Sequence, residues 1–327
     1  MPPSTQAKTE AVGDLAATVG APLGRTLPDV PGVRHSYHQA GDVRLHVAEA
    51  GEGPPLVLLH GWPQHWYVWR ELIGELAKEY RVICPDLRGF GWSEVPRQGY
   101  NRETMADDIT ALLDELGIER FRLAGHDWGG WIAFLIAIHH PERVESLLAL
   151  GITPPFSDLT LRNVLDYPRR FWYQYILAAP ILGARVVRGL ATRRRRLLRH
   201  WWGENRAGWG DAAESFHGQW REPVRVRASV LLYRDFLNRD MRALLIGRYR
   251  RLGLQVPTLL LVGTEDHIIR PNQFPRYRRH AELMAFEPVP GVGHFIVDEA
   301  PQLVLERAQS FFADPEHEIA RASGPDK

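Results

Sequence analysis

The 327-residue sequence predicts an α/β fold: a mostly parallel central sheet with helices on both faces and an inserted helical cap. Three observations carry that prediction. Short apolar runs alternate with helical patterns from residue 55 to residue 150. Each run is apolar on both faces, as a strand covered on both sides must be, and ends in a turn rich in glycine and polar groups. The alternation stops near residue 154 and resumes near residue 256.

The elements follow in order. His35 to Ala50 alternates polar and apolar residues around Ala40-Gly41-Asp42 and reads as a hairpin. Pro55–Leu59 runs into His60-Gly61-Trp62-Pro63, Arg81–Cys84 into Pro85-Asp86-Leu87-Arg88-Gly89, and Phe121–Ala124 into Gly125-His126-Asp127-Trp128-Gly129-Gly130. Between them, Trp66, Trp69, Leu72, Ile73 and Leu76 share one helical face. Met105, Ile109, Leu112, Leu113 and Leu116 share another, with Asn101 as N-cap and Gly117 as the stop. Val144–Leu150 and Thr258–Val262 continue the sheet, a last strand lies near Leu283–Pro288, and residues 302–313 close the fold as a helix begun by Pro301. The core is therefore residues 31–153 and 256–315. Residues 154–255, helical and rich in Arg, Trp and Tyr, form the cap. Residues 1–30 read as an N-terminal tail, partly wrapped on the domain or disordered, and 316–327 as a C-terminal tail.

Composition narrows the function classes. Apolar residues make up 45% and charged residues 24%, as in an ordinary globular protein. A formal charge of +1 gives the molecule no electrostatic reason to seek nucleic acid. Cys84 is the sole cysteine, so no intrachain disulfide forms and two-cysteine metal motifs are excluded. No metal or cofactor is expected. The first residues lack a signal-peptide pattern, and no apolar run approaches the ~20 residues of a membrane-spanning helix. A reducing, cytoplasmic setting is the default. The run Arg193–Arg196 with Arg199, beside Trp201 and Trp202, reads as a solvated cap face. Weak contact with an anionic membrane surface is the alternative.

The chemistry starts at Gly125-His126-Asp127-Trp128-Gly129. This is a G-x-nucleophile-x-G string between a strand and a helix, a sharp elbow that exposes its central side chain above the sheet. The usual occupant is serine; here it is Asp127. A carboxylate with a pKa near ~4 is already ionised at neutral pH. It can displace a leaving group from an sp3 carbon and form an alkyl ester. Water must then cleave that ester, and a histidine must activate the water. The expected chain order is nucleophile, acid, histidine. Asp266, in Gly263-Thr264-Glu265-Asp266-His267, would orient His294, which sits in Gly291-Val292-Gly293-His294; Glu265 is the alternative acid. The loop after His60-Gly61 and the residue after the nucleophile would lend the N–H groups of Trp62 and Trp128 to an oxyanion hole. His60 reads as a loop support and His126 as a packed neighbour.

The strings HGWPQ, DLRGFGWSE, GHDWGG, GTEDHIIRP and GVGHF resemble those of the epoxide hydrolases and their relatives, the haloalkane dehalogenases, over about residues 35–312. The resemblance implies the α/β-hydrolase fold and an aspartate nucleophile, but those strings are shared by both activities. Family epoxide hydrolases protonate the opened epoxide oxygen from two cap tyrosines. Phe171-Trp172-Tyr173-Gln174 resembles the setting of the first and Leu232-Tyr233-Arg234-Asp235-Phe236 that of the second. The resemblance therefore implies Tyr173 and Tyr233 as acids, with Tyr175, Tyr167 and Tyr249 as fallbacks. Many dehalogenases carry a halide-binding asparagine where Trp62 stands, and a fluoroacetate-type dehalogenase would place arginines near the elbow, where this chain has Trp128 and Trp131. The expected activity is hydrolysis of a small apolar epoxide by water to a vicinal diol. A haloalkane dehalogenase with the same nucleophile is the alternative. A non-catalytic ligand-binding protein of the same fold is the alternative of another class.

Overall fold

A computed structural model describes residues 25–158, 161–190, 209, 212–270 and 277–322. Eight strands form one sheet in the order β1-β2-β4-β3-β5-β6-β7-β8. The hairpin β1 (Arg34–Ala40) and β2 (Val43–Ala50) pairs antiparallel, and β2 pairs antiparallel with β4 (Arg81–Pro85). From β4 onward the sheet is parallel, through β3 (Pro55–Leu59), β5 (Phe121–His126), β6 (Val144–Leu150), β7 (Thr258–Gly263) and β8 (Met284–Val289).

Helices cover both faces. A 3-10 turn, Trp66–Trp69, leads into α1 (Arg70–Leu76), so the predicted first helix begins with a tighter turn. In α2 (Arg102–Glu115), the Asn101 side chain accepts from the N–H of Thr104, and Gly117 leaves the helix at φ 68°. The helix after the elbow, α3 (Trp128–His139), is buried from Trp128 through Ile138 and so has no polar stripe. Each of its large apolar side chains contributes ~1.5–3 kcal/mol by leaving water. The apolar content that makes it a poor amphipathic helix therefore makes it a good central one.

The interruption after β6 is helical. It comprises α4 (Leu161–Arg170), α5 (Trp172–Ala178), α6 (Pro180–Leu190), α7 (Ala212–Gly218), α8 (Pro223–Asp235), a π turn at Phe236–Asp240 and α9 (Met241–Leu245). Among the described residues it contains no strand. The arginine run Arg193 to Arg199 lies outside the described residues. No helix of the described chain is long and apolar enough to cross a membrane.

After β8 come α10 (Ile296–Glu299), α11 (Pro301–Ala313) and α12 (Pro315–Ala322). The last corrects the expected C-terminal tail. Glu318 is buried there and accepts from Arg307 at 2.5 Å and Arg321 at 3.0 Å. A short segment with few apolar residues read as a tail because an ion-paired anchor leaves no hydrophobic period. At the other end, Arg25 stacks on Trp92 at 4.5 Å and pairs with Glu222 at 2.8 Å.

The parallel register matters for function. Leu59 pairs with Gly125, His126 with Leu150 and Gly263 with Val289. The carboxyl ends of β3, β5, β7 and β8 therefore finish together, beneath the cap. In open parallel sheets that edge is where ligands bind.

Candidate active site

Asp127 sits at the turn between β5 and α3 with φ 52° and ψ −124°. It is the one non-glycine residue with positive φ among the described residues. Such a conformation costs ~1–3 kcal/mol and persists only where its surroundings impose it. Close packing does so here. A Cβ on Gly125 would lie 2.5 Å from the carbonyl oxygen of Gly129, and one on Gly129 would lie 2.4 Å from that of His60. Glycine at both positions lets strand, helix and the His60 loop touch.

The elbow aims the carboxylate at three groups. Trp62 N–H donates to Oδ1 of Asp127 at 2.8 Å. The N–H of Trp128 also bonds to this carboxylate. His294 Nε2 lies 3.4 Å from Oδ2. His294 Nδ1 lies 2.9 Å from Oδ2 of Asp266, whose Oδ1 accepts from the N–H groups of Ile268 at 2.7 Å and Ile269 at 2.9 Å. The five residues that the sequence singles out, Asp127, Trp62, Trp128, His294 and Asp266, meet in one place. Glu265, the alternative acid, is exposed, whereas Asp266 is buried against the imidazole. His60 supports its loop: Nε2 accepts from the N–H of Leu87 at 3.0 Å, and Nδ1 lies 3.0 Å from the carbonyl of Gly61. His126 donates from Nε2 to the carbonyl of His294 at 2.8 Å, so it holds the His294 turn as well as packing beside it.

The electrostatics are those of an imidazolium between two carboxylates. Burial disfavours charge on His294, but Asp266 and Asp127 outweigh it and raise its pKa to about 10. Burial also pushes Asp127 up, yet its bond to His294 and the charge of that ring hold it below the ordinary carboxylate value. Burial, then the charge of His294, lowers His126 to about 4, so that ring is neutral. Removing one negative charge must therefore release the His294 proton more easily. In Asp127→Asn, an NMR titration of the His294 ring will give a pKa below that of the same titration on the wild type. An unchanged value would mean that Asp127 does not hold that proton.

Above the triad lies a cavity of about 840 Å³. Asp127 and His294 form part of its floor, and Trp131, Ile152, Phe236 and Leu244 are among its apolar walls. Tyr173 and Tyr233, both buried, enter from α5 and α8 with ring centroids 6.3 Å apart. The Tyr233 ring meets Trp62 edge-on at 5.3 Å and Trp128 at 5.8 Å, so both oxyanion-loop residues pack against it. Burial raises both tyrosines above their ordinary pKa and keeps their hydroxyls protonated. Of the fallbacks, Tyr167 and Tyr175 line the cavity, with Tyr167 donating to Gln174 at 2.5 Å. Tyr249 does not line it; its hydroxyl donates to Glu103 at 2.9 Å.

Several supporting residues carried no sequence signal. Glu299 accepts from the N–H groups of Gly293 at 2.7 Å and Phe295 at 3.1 Å, clamping the turn on both sides of His294. Ser229 accepts from the indoles of Trp62 and Trp220, each at 3.1 Å, and ties the loop after β3 to α8. Arg102 is fully buried, 3.8 Å from the centroid of Trp128, and donates to the carbonyl of Leu232 at 2.8 Å and to Asp240 at 3.0 Å. Such contacts join distant segments, and only the fold reveals them.

Comparison with known proteins gives the family. The α/β hydrolase fold family matches residues 54–301. A soluble epoxide hydrolase from Corynebacterium sp. (strain C12) is 33% identical over 290 residues, spanning 85% of this chain and 97% of the relative. A fluoroacetate dehalogenase from Burkholderia sp. is 33% identical over 287 residues, spanning 84% of this chain and 92% of the relative. Among solved structures, the epoxide hydrolase CorEH without ligand superimposes with a TM-score of 0.73 at 29% identity, covering 86% of this chain and 99% of that one. With its strand order, its elbow and these relatives in agreement, the chain belongs to the α/β hydrolase fold family.

Proposed function

We propose that the protein hydrolyses an apolar epoxide to a vicinal diol through an alkyl ester on Asp127. The observation that carries this reading is a carboxylate at the elbow facing two buried tyrosines across an apolar cavity. Oδ1 of Asp127 accepts from Trp62, which leaves Oδ2 as the nucleophile. Oδ2 attacks an epoxide carbon, the C–O bond breaks, and the departing oxygen takes a proton from Tyr173 or Tyr233. An alkoxide is more basic than a phenolate even when burial has raised the tyrosine, so the transfer runs toward the substrate.

The ester carries no charge, so His294 loses one of the two carboxylates that held its proton; that proton passes to the tyrosinate, which regains its hydroxyl and leaves His294 neutral. The imidazole, still oriented by Asp266, then takes a proton from water as the water oxygen attacks Cγ of Asp127. The new oxyanion at Oδ1 sits against the N–H groups of Trp62 and Trp128. As this intermediate collapses, the diol oxygen leaves with a proton from His294, and the carboxyl proton then returns to His294, which restores the carboxylate and the imidazolium.

The fluoroacetate dehalogenase among the relatives keeps a second reading in view: attack by the same aspartate on a carbon–halogen bond. Trp128 and Trp131 weigh against it, since they occupy the elbow region where that activity would place carboxylate-binding arginines. A turnover screen with styrene oxide, a fatty-acid epoxide, a bromoalkane and fluoroacetate separates the two. Diol formation without halide release is expected, and halide release without diol formation would transfer the assignment to dehalogenation.

A further inference from the structure

Three arginines line the cavity, Arg169, Arg170 and Arg270, and hydrolysis assigns a task to none of them; Arg170 and Arg270 carry the argument. Arg170 ends α4, three residues before Tyr173, and Arg270 lies on the loop that carries Asp266; both line the cavity. Nη2 of Arg170 is buried with no hydrogen-bond partner among the described residues. Neither guanidinium has a carboxylate within 4.0 Å among the described residues.

The two cations also feel each other. Burial first, then the charge of Arg270, lowers the pKa of Arg170, while Asp266, Asp166 and Tyr173 act in the opposite direction. Asp266 is already occupied by His294 and two backbone N–H groups. Asp166 shares the wall but stands beyond ion-pair reach of both arginines. A half-buried guanidinium facing a cavity, with a like charge beside it and a donor unused, is stabilised by an anion arriving from the cavity.

We propose that Arg170 and Arg270 form an anion subsite, and that the substrates are epoxides bearing a carboxylate. The proposal rests on the epoxide reading above for the reacting group, but not for the anion. A carboxylate matches the planar guanidinium fork with two parallel hydrogen bonds. Its pairing there shields the substrate's charge from Asp127. The hydrocarbon portion lies against the apolar walls at Ile152, Phe236 and Leu244. The subsite is separate from the first turn of α3, where Trp128 and Trp131 stand.

The test compares a short 2,3-epoxy acid and a mid-chain epoxy fatty acid, each against its methyl ester. In the wild type, kcat/KM for at least one acid should exceed that of its ester by about tenfold or more, the size of one charge-assisted contact. Arg170→Gln and the exposed Arg270→Gln should each reduce that acid-to-ester ratio, and together bring it near one. Arg170→Lys, which keeps charge but loses the fork, should fall between. Diol formation from acids and esters at equal efficiency would overturn the subsite and leave the hydrolase reading standing. If no epoxide is turned over, calorimetry on Asp127→Asn with stearic acid and methyl stearate decides. Arginine-dependent binding of the acid alone would support the subsite, and equal binding of both would reject it.

Discussion

Exposed to an excess of epoxide, His294→Gln will consume about one equivalent and then stop. On the proposed mechanism a carboxylate needs no base to attack: the variant removes the His294 charge that lowers the Asp127 pKa, but the backbone N–H groups of Trp62 and Trp128 that favour the ionised form are left alone. Alkylation should therefore persist. Hydrolysis of the ester needs a proton removed from water, and glutamine cannot do that at neutral pH. Steady-state turnover should fall by about 10³-fold or more, in the upper range for loss of a positioned general base. The tryptic peptide Leu123–Arg143 should gain the mass of one epoxide. Asp127→Asn should show neither burst nor added mass. A second readout uses the wild type in ¹⁸O-water for a single turnover. If water attacks Cγ of Asp127, the label should enter that carboxylate and be absent from the first diol released. Full diol turnover by His294→Gln with an unmodified peptide would mean that water opens the epoxide directly, and the ester mechanism would be wrong.

Much of the candidate site is legible in the sequence because its parts sit at strand ends. Asp127, Asp266 and His294 each follow an apolar run, and in a parallel sheet such ends finish side by side. Short-range chemistry also read well: Asn101 caps α2, and Gly125 and Gly129 permit the elbow. What stayed hidden depends on long-range pairing. Glu299 clamps the His294 turn through two backbone N–H groups, and nothing in its neighbourhood distinguishes it from a surface glutamate. Arg102 reads as a helix-start residue, yet it is fully buried against Trp128 and bonded to the cap through Leu232 and Asp240. Helix α12 was missed because its anchor is ionic, through Arg307 and Glu318, and leaves no hydrophobic period. The cap tyrosines fall between these cases. A helical cap full of aromatics has no pattern that separates an acid from core packing, and only the resemblance to known motifs singled out Tyr173 and Tyr233.

Those two tyrosines give the second large effect. Tyr173→Phe or Tyr233→Phe alone should slow ring opening by about 10- to 10²-fold, and the double variant by about 10³-fold or more, within the range for a positioned proton donor. The singles should not add. Two donors directed at one departing oxygen substitute for each other, so the second loss costs more than the first. Removing a hydroxyl while keeping the ring preserves the packing of Tyr233 against Trp62 and Trp128, so the oxyanion loops stay in place. The loss must then fall on alkylation and spare hydrolysis of an ester already formed. Rapid-quench kinetics separates the steps: the burst slows in the double variant, while decay of an ester preloaded from an activated alkyl bromide keeps its wild-type rate. Bromide carries its charge away without a proton, so alkylation by that bromide should lose far less than alkylation by the epoxide. Equal losses on both would mean that the tyrosines shape the cavity rather than donate. Near-normal epoxide opening in the double variant would pass the donor role to Tyr167, which lines the same cavity with its hydroxyl on Gln174.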